Sequence, residues 1–244
     1  MDRTTLNLLA GMAHELRTPL GAIGGYAELL RMGLHGPLSA PQQDALLRIR
    51  RNQEEMIAFL NACMSYAAAA AGDVPVMIEA VPFAPLLERA TERCAARAAE
   101  LDITIRIAAE FAKADSGVDT PIVQVDPTAG ETMLTELLSD ALAASDAGTC
   151  VQVAISTHDG TLQMRVVSSG APIAVEAAQS VFVPFSPGED GSRAATSSRP
   201  LSLSHARVLA RAMGGDLVAV PGCEARTVQL ELPCVREHST VNTR

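Results

Sequence analysis

Gly11-Met-Ala-His-Glu-Leu-Arg-Thr-Pro-Leu20 is the stretch on which the reading of this chain turns. It sets a histidine, a carboxylate and a hydroxyl close together on a run that meets a proline. Around it, apolar residues fall at Leu9, Ala13, Leu16, Leu20, Ile23, Ala27 and Leu30. The steps alternate between four and three, the a/d seam of a helix that packs along another helix. His14 is one residue past a seam position. A helix turns by about 100° per residue, so the imidazole is predicted at the flank, open to solvent. Pro19 lacks a backbone donor and crowds the carbonyl of Glu15, which predicts a bend and a loosened turn around His14. Glu15 is adjacent and suited to orient or deprotonate the ring. Thr18, four residues on, shares the histidine's face.

The composition bounds what such a helix serves. The chain has 244 residues, is 48% hydrophobic and carries a net charge of -9. That is enough for one large or two small domains with a proper core. The negative charge argues against nucleic acid or an anionic membrane as the main partner. Five cysteines (Cys63, Cys94, Cys150, Cys223, Cys234) are widely spaced without a C-x-x-C pair. Free thiols in a reducing compartment are expected, with no zinc site. No apolar run approaches the roughly 18 residues of a membrane span, and no signal peptide opens the chain. The expectation is a cytoplasmic, soluble protein. With no sensory segment ahead of His14, its input is expected from another protein.

The first helix is predicted from about Thr4 to Arg31, and a second from Pro41 to Ala71, joined by a loop rich in helix breakers that contains His35. The second seam runs through Leu46, Ile49, Met56, Leu60, Cys63 and Ala67, interrupted by Gln53. Two helices with one seam each cannot enclose a core. A homodimer forming a four-helix bundle is expected, the alternative being a hairpin packed on its own second domain. Beyond residue 72 the period changes. Strands are predicted at 76–81, 103–107, 122–125, 151–157, 161–167, 216–220 and 227–232. Helices are predicted at 82–101, 127–145 and 201–213, with Leu86, Leu87, Ala90, Cys94 and Ala98 forming one apolar face. Pro187 to Pro200 reads as a mobile loop. The fold class is α+β: a helical hairpin over 1–72, a sandwich with helices on one sheet face over 73–235, and a polar tail over 236–244.

His14-Glu-Leu-Arg-Thr-Pro-Leu20 resembles, residue for residue, the H-box of the sensor histidine kinases, and the order of elements after it resembles their ATP-binding domain. Together the resemblance covers nearly the whole chain. It implies that His14 is phosphorylated, with catalytic roles for His14, Glu15 and Thr18. Four nucleotide boxes are implied in the second domain. Glu136-Leu-Leu-Ser-Asp-Ala141 stands at the N-box, where the family has two asparagines. Asp140 is able to bind magnesium, as carboxylates do, or to repel a triphosphate when no metal is present. Ser168-Ser-Gly-Ala-Pro172 stands at the Asp-x-Gly-x-Gly box, keeping only Gly170. Val181-Phe-Val-Pro-Phe185 fits the F-box. Ser198-Arg-Pro-Leu-Ser-Leu203 stands at the Gly-x-Gly-Leu-Gly-Leu box with all three glycines replaced, at Ser198, Pro200 and Ser202. Glycines there let backbone donors approach phosphate. The packing residues Leu201 and Leu203 are kept. Gly214-Gly215 reads as a helix C-cap.

The apolar shell of the second domain is thus retained and its polar contacts are mostly lost, leaving Asp140, Ser168, Gly170 and Ser202 as vestigial cofactor positions. Tightly bound ATP is not expected, nor any metal of the chain's own. The expectation is a histidine phosphotransfer protein in a two-component phosphorelay, resembling the phosphotransferases built like a dimeric kinase with a degenerate ATP-binding domain. Phosphoryl groups would pass through His14 between aspartates of response-regulator receiver domains, which supply their own magnesium. A phosphatase role follows from Glu15 and Thr18 in the same resemblance. Arg17, Thr18, Ala22 and Gly25 share the histidine's side and are expected to dock the receiver, with Gly21, Ala22, Gly24 and Gly25 allowing close approach. Two other readings stay open: an ATP-dependent sensor histidine kinase or a fragment of one, and a non-catalytic module that binds a response regulator.

Overall fold

The computed structural model describes residues 3–34, 36–72, 76–109, 120–184 and 201–235. His35, the 187–200 loop and the 236–244 tail lie outside them, as do Phe185, Ser198 and Pro200. The chain divides into two compact units, Met1–Val74 and Pro75–Arg244.

The first unit is a helical hairpin of α1 (Arg3–Arg31) and α2 (Ala40–Ala70). Ser39 opens α2, its backbone N–H donating to Gln42 Oε1 at 2.8 Å, and Pro41 follows in the first turn, where its missing donor costs nothing. The seam of α1 divides in two. Ala13, Leu20 and Ala27, seven residues apart, are buried within the hairpin. Leu16 and Ile23, the alternate set, stay 46% and 47% exposed, with Met12 beside them. On α2, Ile49 and Met56 are likewise exposed and Ala67 is buried. Gln53, the break in the second seam, lies over Gly24: a Cβ on that glycine would stand 2.9 Å from Gln53 Oε1. Glu28 binds Arg31 on its own helix and Arg50 across the hairpin, and the Arg31 bond holds its carboxyl below the usual range.

The second unit is a seven-stranded mixed sheet carrying three helices. Its elements are β1 (Glu79–Pro82), α3 (Phe83–Glu100), β2 (Thr104–Ala109), β3 (Ile122–Val125), α4 (Pro127–Ala143), β4 (Cys150–His158), β5 (Thr161–Ser168), α5 (Ser202–Ala212), β6 (Asp216–Ala219) and β7 (Arg226–Val235). The strand order is β1-β3-β7-β5-β4-β2, with β6 also on β7. All pairings are antiparallel except β2 with β4. Alternation decides the core face: Val151, Val153 and Ile155 on β4, Leu162, Met164 and Val166 on β5, and Val228, Leu230 and Leu232 on β7 are buried. The apolar face of α3 is the one its periodicity predicts. A short 3₁₀ turn at Ser180–Phe182, absent from the sequence reading, buries Phe182.

The hairpin turn between β4 and β5 needs left-handed backbone, which Asp159 (φ 47) and Gly160 (φ 75) supply. At the end of α5, Gly214 N–H donates to Arg211 O and Gly215 N–H to Ala210 O, the pair of bonds of a Schellman motif. No helix among the described residues is long and apolar enough to cross a membrane. No disulfide joins the five cysteines.

α4 is the central helix, and Asp126 caps it. Its Oδ1 accepts from the N–H groups of Thr128 and Ala129, and its Oδ2 from Met77 N–H, all at 2.9 Å. Burial acts to raise this carboxyl, but the three backbone donors outweigh it and hold it below its ordinary 3.8. A depressed carboxylate contributes stability above its unfolded value and loses it as pH falls through the folded one. Asp126→Ala should therefore lower the melting temperature by roughly 2–4 °C at neutral pH, for a cap worth about 1 kcal/mol. The gap between variant and wild type should shrink as the pH of the melts is taken below about 4. A gap that widens in acid contradicts this account.

Candidate functional site

His14 stands exposed on α1, directly after buried Ala13, as the seam predicts. The helix runs through Pro19 to Arg31 without interruption. Thr18 Oγ1 donates to the backbone oxygen of His14 at 3.4 Å, so the hydroxyl faces the turn that carries the imidazole. Glu15 is exposed, and no hydrogen bond or ion pair joins it to His14 among the described residues. The reason is geometric, since adjacent residues on a helix diverge by about 100°. Arg17 is not free: its Nη2 donates to Asn61 Oδ1 at 2.8 Å and ties α1 to α2. Ala22 and Gly25 are exposed above the histidine, and a Cβ on Gly21 or Gly25 would meet nothing within 4 Å. Gly24 turns inward instead. His14, Thr18, Ala22 and Gly25 thus form one open, low-relief strip of α1.

In the second unit, the candidate nucleotide positions converge at one end of the sheet. α4 is buried at Met133, Leu134, Leu137, Leu138, Ala141 and Leu142. Of its three acidic residues, Glu131 binds Arg89 and Arg93 on α3, while Glu136 and Asp140 lie one turn apart and each meets a side chain from another element. His205 Nδ1, on α5, lies 2.7 Å from Glu136 Oε1, with the histidine 1% exposed. Arg226 Nη2, at the start of β7, donates to Asp140 Oδ2 at 3.1 Å. Burial pushes the Asp140 carboxyl up, and the Arg226 guanidinium opposes it. Ser168 ends β5 in register with Arg226 and is buried. Ser202 opens α5 and is buried between Leu201 and Leu203, which keep the packing role read from the sequence.

Gly170 has a reason to survive that is independent of any ligand. A Cβ there would collide with the carbonyl oxygen of Ala144, at the end of α4. Behind the 3₁₀ turn, Arg207 lies 4.4 Å over the Phe182 ring and also binds Gln179 and Asp216. Arg211 joins it on Asp216, whose carboxyl these arginines hold far below the usual range despite burial.

Sequence reasoning did not find His205 and Arg226. The signal was partial: carboxylates at 136 and 140, on the helix that also buries Leu134, Leu137 and Leu138, need polar partners from elsewhere in the fold.

The family's ATPase domain implies a magnesium–nucleotide, and the residues here do not make the donor set it needs. The carboxylate at position 140 is engaged by Arg226, the acceptor at 168 is a buried serine, and Pro172 lacks a donor.

Residues 5–72 match the His Kinase A (phospho-acceptor) domain. Residues 125–236 match the histidine kinase-, DNA gyrase B- and HSP90-like ATPase. The chain is 32% identical over 242 residues to sensor protein TorS of Escherichia coli (strain K12), across 96% of this chain and 25% of TorS. It is 29% identical over 232 residues to histidine protein kinase DivJ of Caulobacter vibrioides, across 92% of this chain and 36% of DivJ. Among solved structures, full-length ShkA in complex with AMPPNP has the same fold, with a TM-score of 0.74 at 24% identity over 94% of this chain and 46% of that one. The chain thus spans about a quarter to a third of the length of these curated relatives. These matches correct the expectation of a relay phosphotransfer protein: the ATPase model and the relatives are those of sensor kinases, with the second domain part of that design. With a phosphoacceptor hairpin followed by an ATPase-type sandwich along nearly its whole length, the chain belongs to the sensor histidine kinase family.

Proposed function

We propose that the chain is the transmitter portion of a two-component sensor histidine kinase, with His14 the phosphorylated residue and a response-regulator receiver domain its recipient. The observation that carries this is the exposure of His14 on the open strip of α1 beside Thr18, Ala22 and Gly25. An unprotonated ring nitrogen is the nucleophile toward the phosphorus of a phosphoryl donor, and the donor's bond to its leaving group breaks as the P–N bond forms. A phosphoryl group held there by a P–N bond is attacked at phosphorus by the receiver's aspartate. The P–N bond breaks, and its electron pair returns to the ring. The transition state is loose, so the hairpin contributes alignment more than covalent chemistry. Small residues at 22 and 25 allow the receiver to lie close. Glu15, exposed beside His14, supplies a local negative charge in this reading and makes no bond to the ring in this structure. Arg17 acts indirectly, by holding α1 against α2.

The working unit in this reading is a homodimer. The exposed set of Leu16 and Ile23 on α1, with Ile49 and Met56 on α2, supports a second hairpin packing there. A cytoplasmic location is part of the same reading, supported by five cysteines without a disulfide.

Ile23→Lys should shift the chain from dimer to monomer in light scattering coupled to size exclusion, while helical circular dichroism is kept. A dimer that survives the change places the interface elsewhere. For the chemistry, phosphoramidate is a donor that needs no nucleotide site. It should phosphorylate wild type to an acid-labile, alkali-stable product that receiver domains then discharge. His14→Ala should lose that product by at least tenfold. Equal labelling of the two proteins would refute the assignment of His14.

A further inference from the structure

We propose that the ATPase-type domain of this chain is closed by its own cation: Arg226 is bonded to the side chain at position 140, where the family resemblance implies a neutral asparagine that helps hold magnesium and phosphate, and the domain accordingly takes up no magnesium–nucleotide. The meaning of position 140 rests on the family assignment, while the proposal is independent of what His14 does.

Four observations converge. First, the pair is specific in place. Arg226 opens β7 beside Ser168 at the end of β5, and its guanidinium crosses to Asp140 on α4. Second, the pair is sheltered, with side chains 20% and 21% exposed, so water screens it weakly. A metal ion entering here meets a guanidinium already bonded to Asp140 Oδ2. Third, the neighbouring Glu136 is engaged in the same manner by His205. Both acidic side chains of α4 that stand at the N-box are therefore engaged by side chains of the protein itself. Fourth, the glycines divide by role. Gly170, where a Cβ would strike the Ala144 carbonyl, is retained. Positions 172, 198, 200 and 202, where the resemblance implies glycine for approach to a ligand, hold proline or serine. Constraints imposed by packing persist in this domain, and those imposed by a nucleotide do not.

The test is thermal denaturation and titration calorimetry of the full chain with magnesium and ATP, alone and together. Wild type should show no saturable heat and no rise in melting temperature. Asp140→Asn, which restores the family's residue and keeps its size, should lower the melting temperature by roughly 3–6 °C by leaving Arg226 unpaired. Arg226→Ala should do the same, and the double variant should lose no more than the larger single loss, because both changes remove one interaction. Saturable binding of the magnesium–nucleotide by wild type overturns the proposal. So do additive losses in the double variant, or an Asp140→Asn protein as stable as wild type. If Arg226→Ala fails to fold, Asp140→Asn and the wild-type titration decide the matter. Labelling of His14 by phosphoramidate is unaffected in either case, so the two readings stand or fall separately.

Discussion

A carboxylate sheltered on the central helix of a packed layer must meet a hydrogen-bonding partner or lose its charge. That constraint organises the second unit. α4 lies at the centre of the helical layer, with Met133, Leu134, Leu137, Leu138 and Leu142 all shielded from solvent. Leaving Glu136 or Asp140 uncompensated there would cost several kcal/mol. The chain answers with His205 from α5 and Arg226 from β7. Each pair joins α4 to a different element, so the same bonds that satisfy the carboxylates also fix the interior strand β7 and the last helix against it.

Much of this architecture is legible in the chain because apolar spacing is local. The face of α3 and the alternation of β4 and β5 follow from periods of 3.6 and 2 alone. The histidine's exposure follows from its offset by one residue from Ala13. Caps are legible too, since Asp126-Pro127 and Gly214-Gly215 each satisfy a backbone need within a few residues. What the chain conceals is what long-range contact decides. Arg226 and Asp140 are 86 residues apart, and His205 and Glu136 are 69. Nothing in the surroundings of Arg226 marks it as the partner of a helix so distant in sequence. Arg17 was hidden for the same reason: its spacing assigns it to the histidine's face, while its length lets it reach Asn61 on the other helix. Glu15 shows the limit of reading adjacency as contact, because neighbours on a helix point apart.

The two units answer to different kinds of constraint. In the hairpin the polar residues of the motif remain intact, though few of them contribute to packing. In the sandwich the packing residues remain intact, and several polar ones have been replaced. Gly170 is informative because it belongs to both categories: it sits in a nucleotide motif, yet its small size is required by the Ala144 carbonyl. Leu201 and Leu203 likewise belong to a glycine-rich motif and persist as core. A motif that survives in part is therefore best divided residue by residue into what the fold needs and what a ligand needs.

The divided seam of α1 separates two properties that a single seam would couple. Ala13, Leu20 and Ala27 hold the helix to its own partner within the chain, whereas Leu16 and Ile23 face outward. Drift at the outward positions can change which protomers recognise one another while each hairpin still closes. Insulation between related signalling proteins in one cell can then evolve by a few apolar exchanges, without passing through an unfolded ancestor.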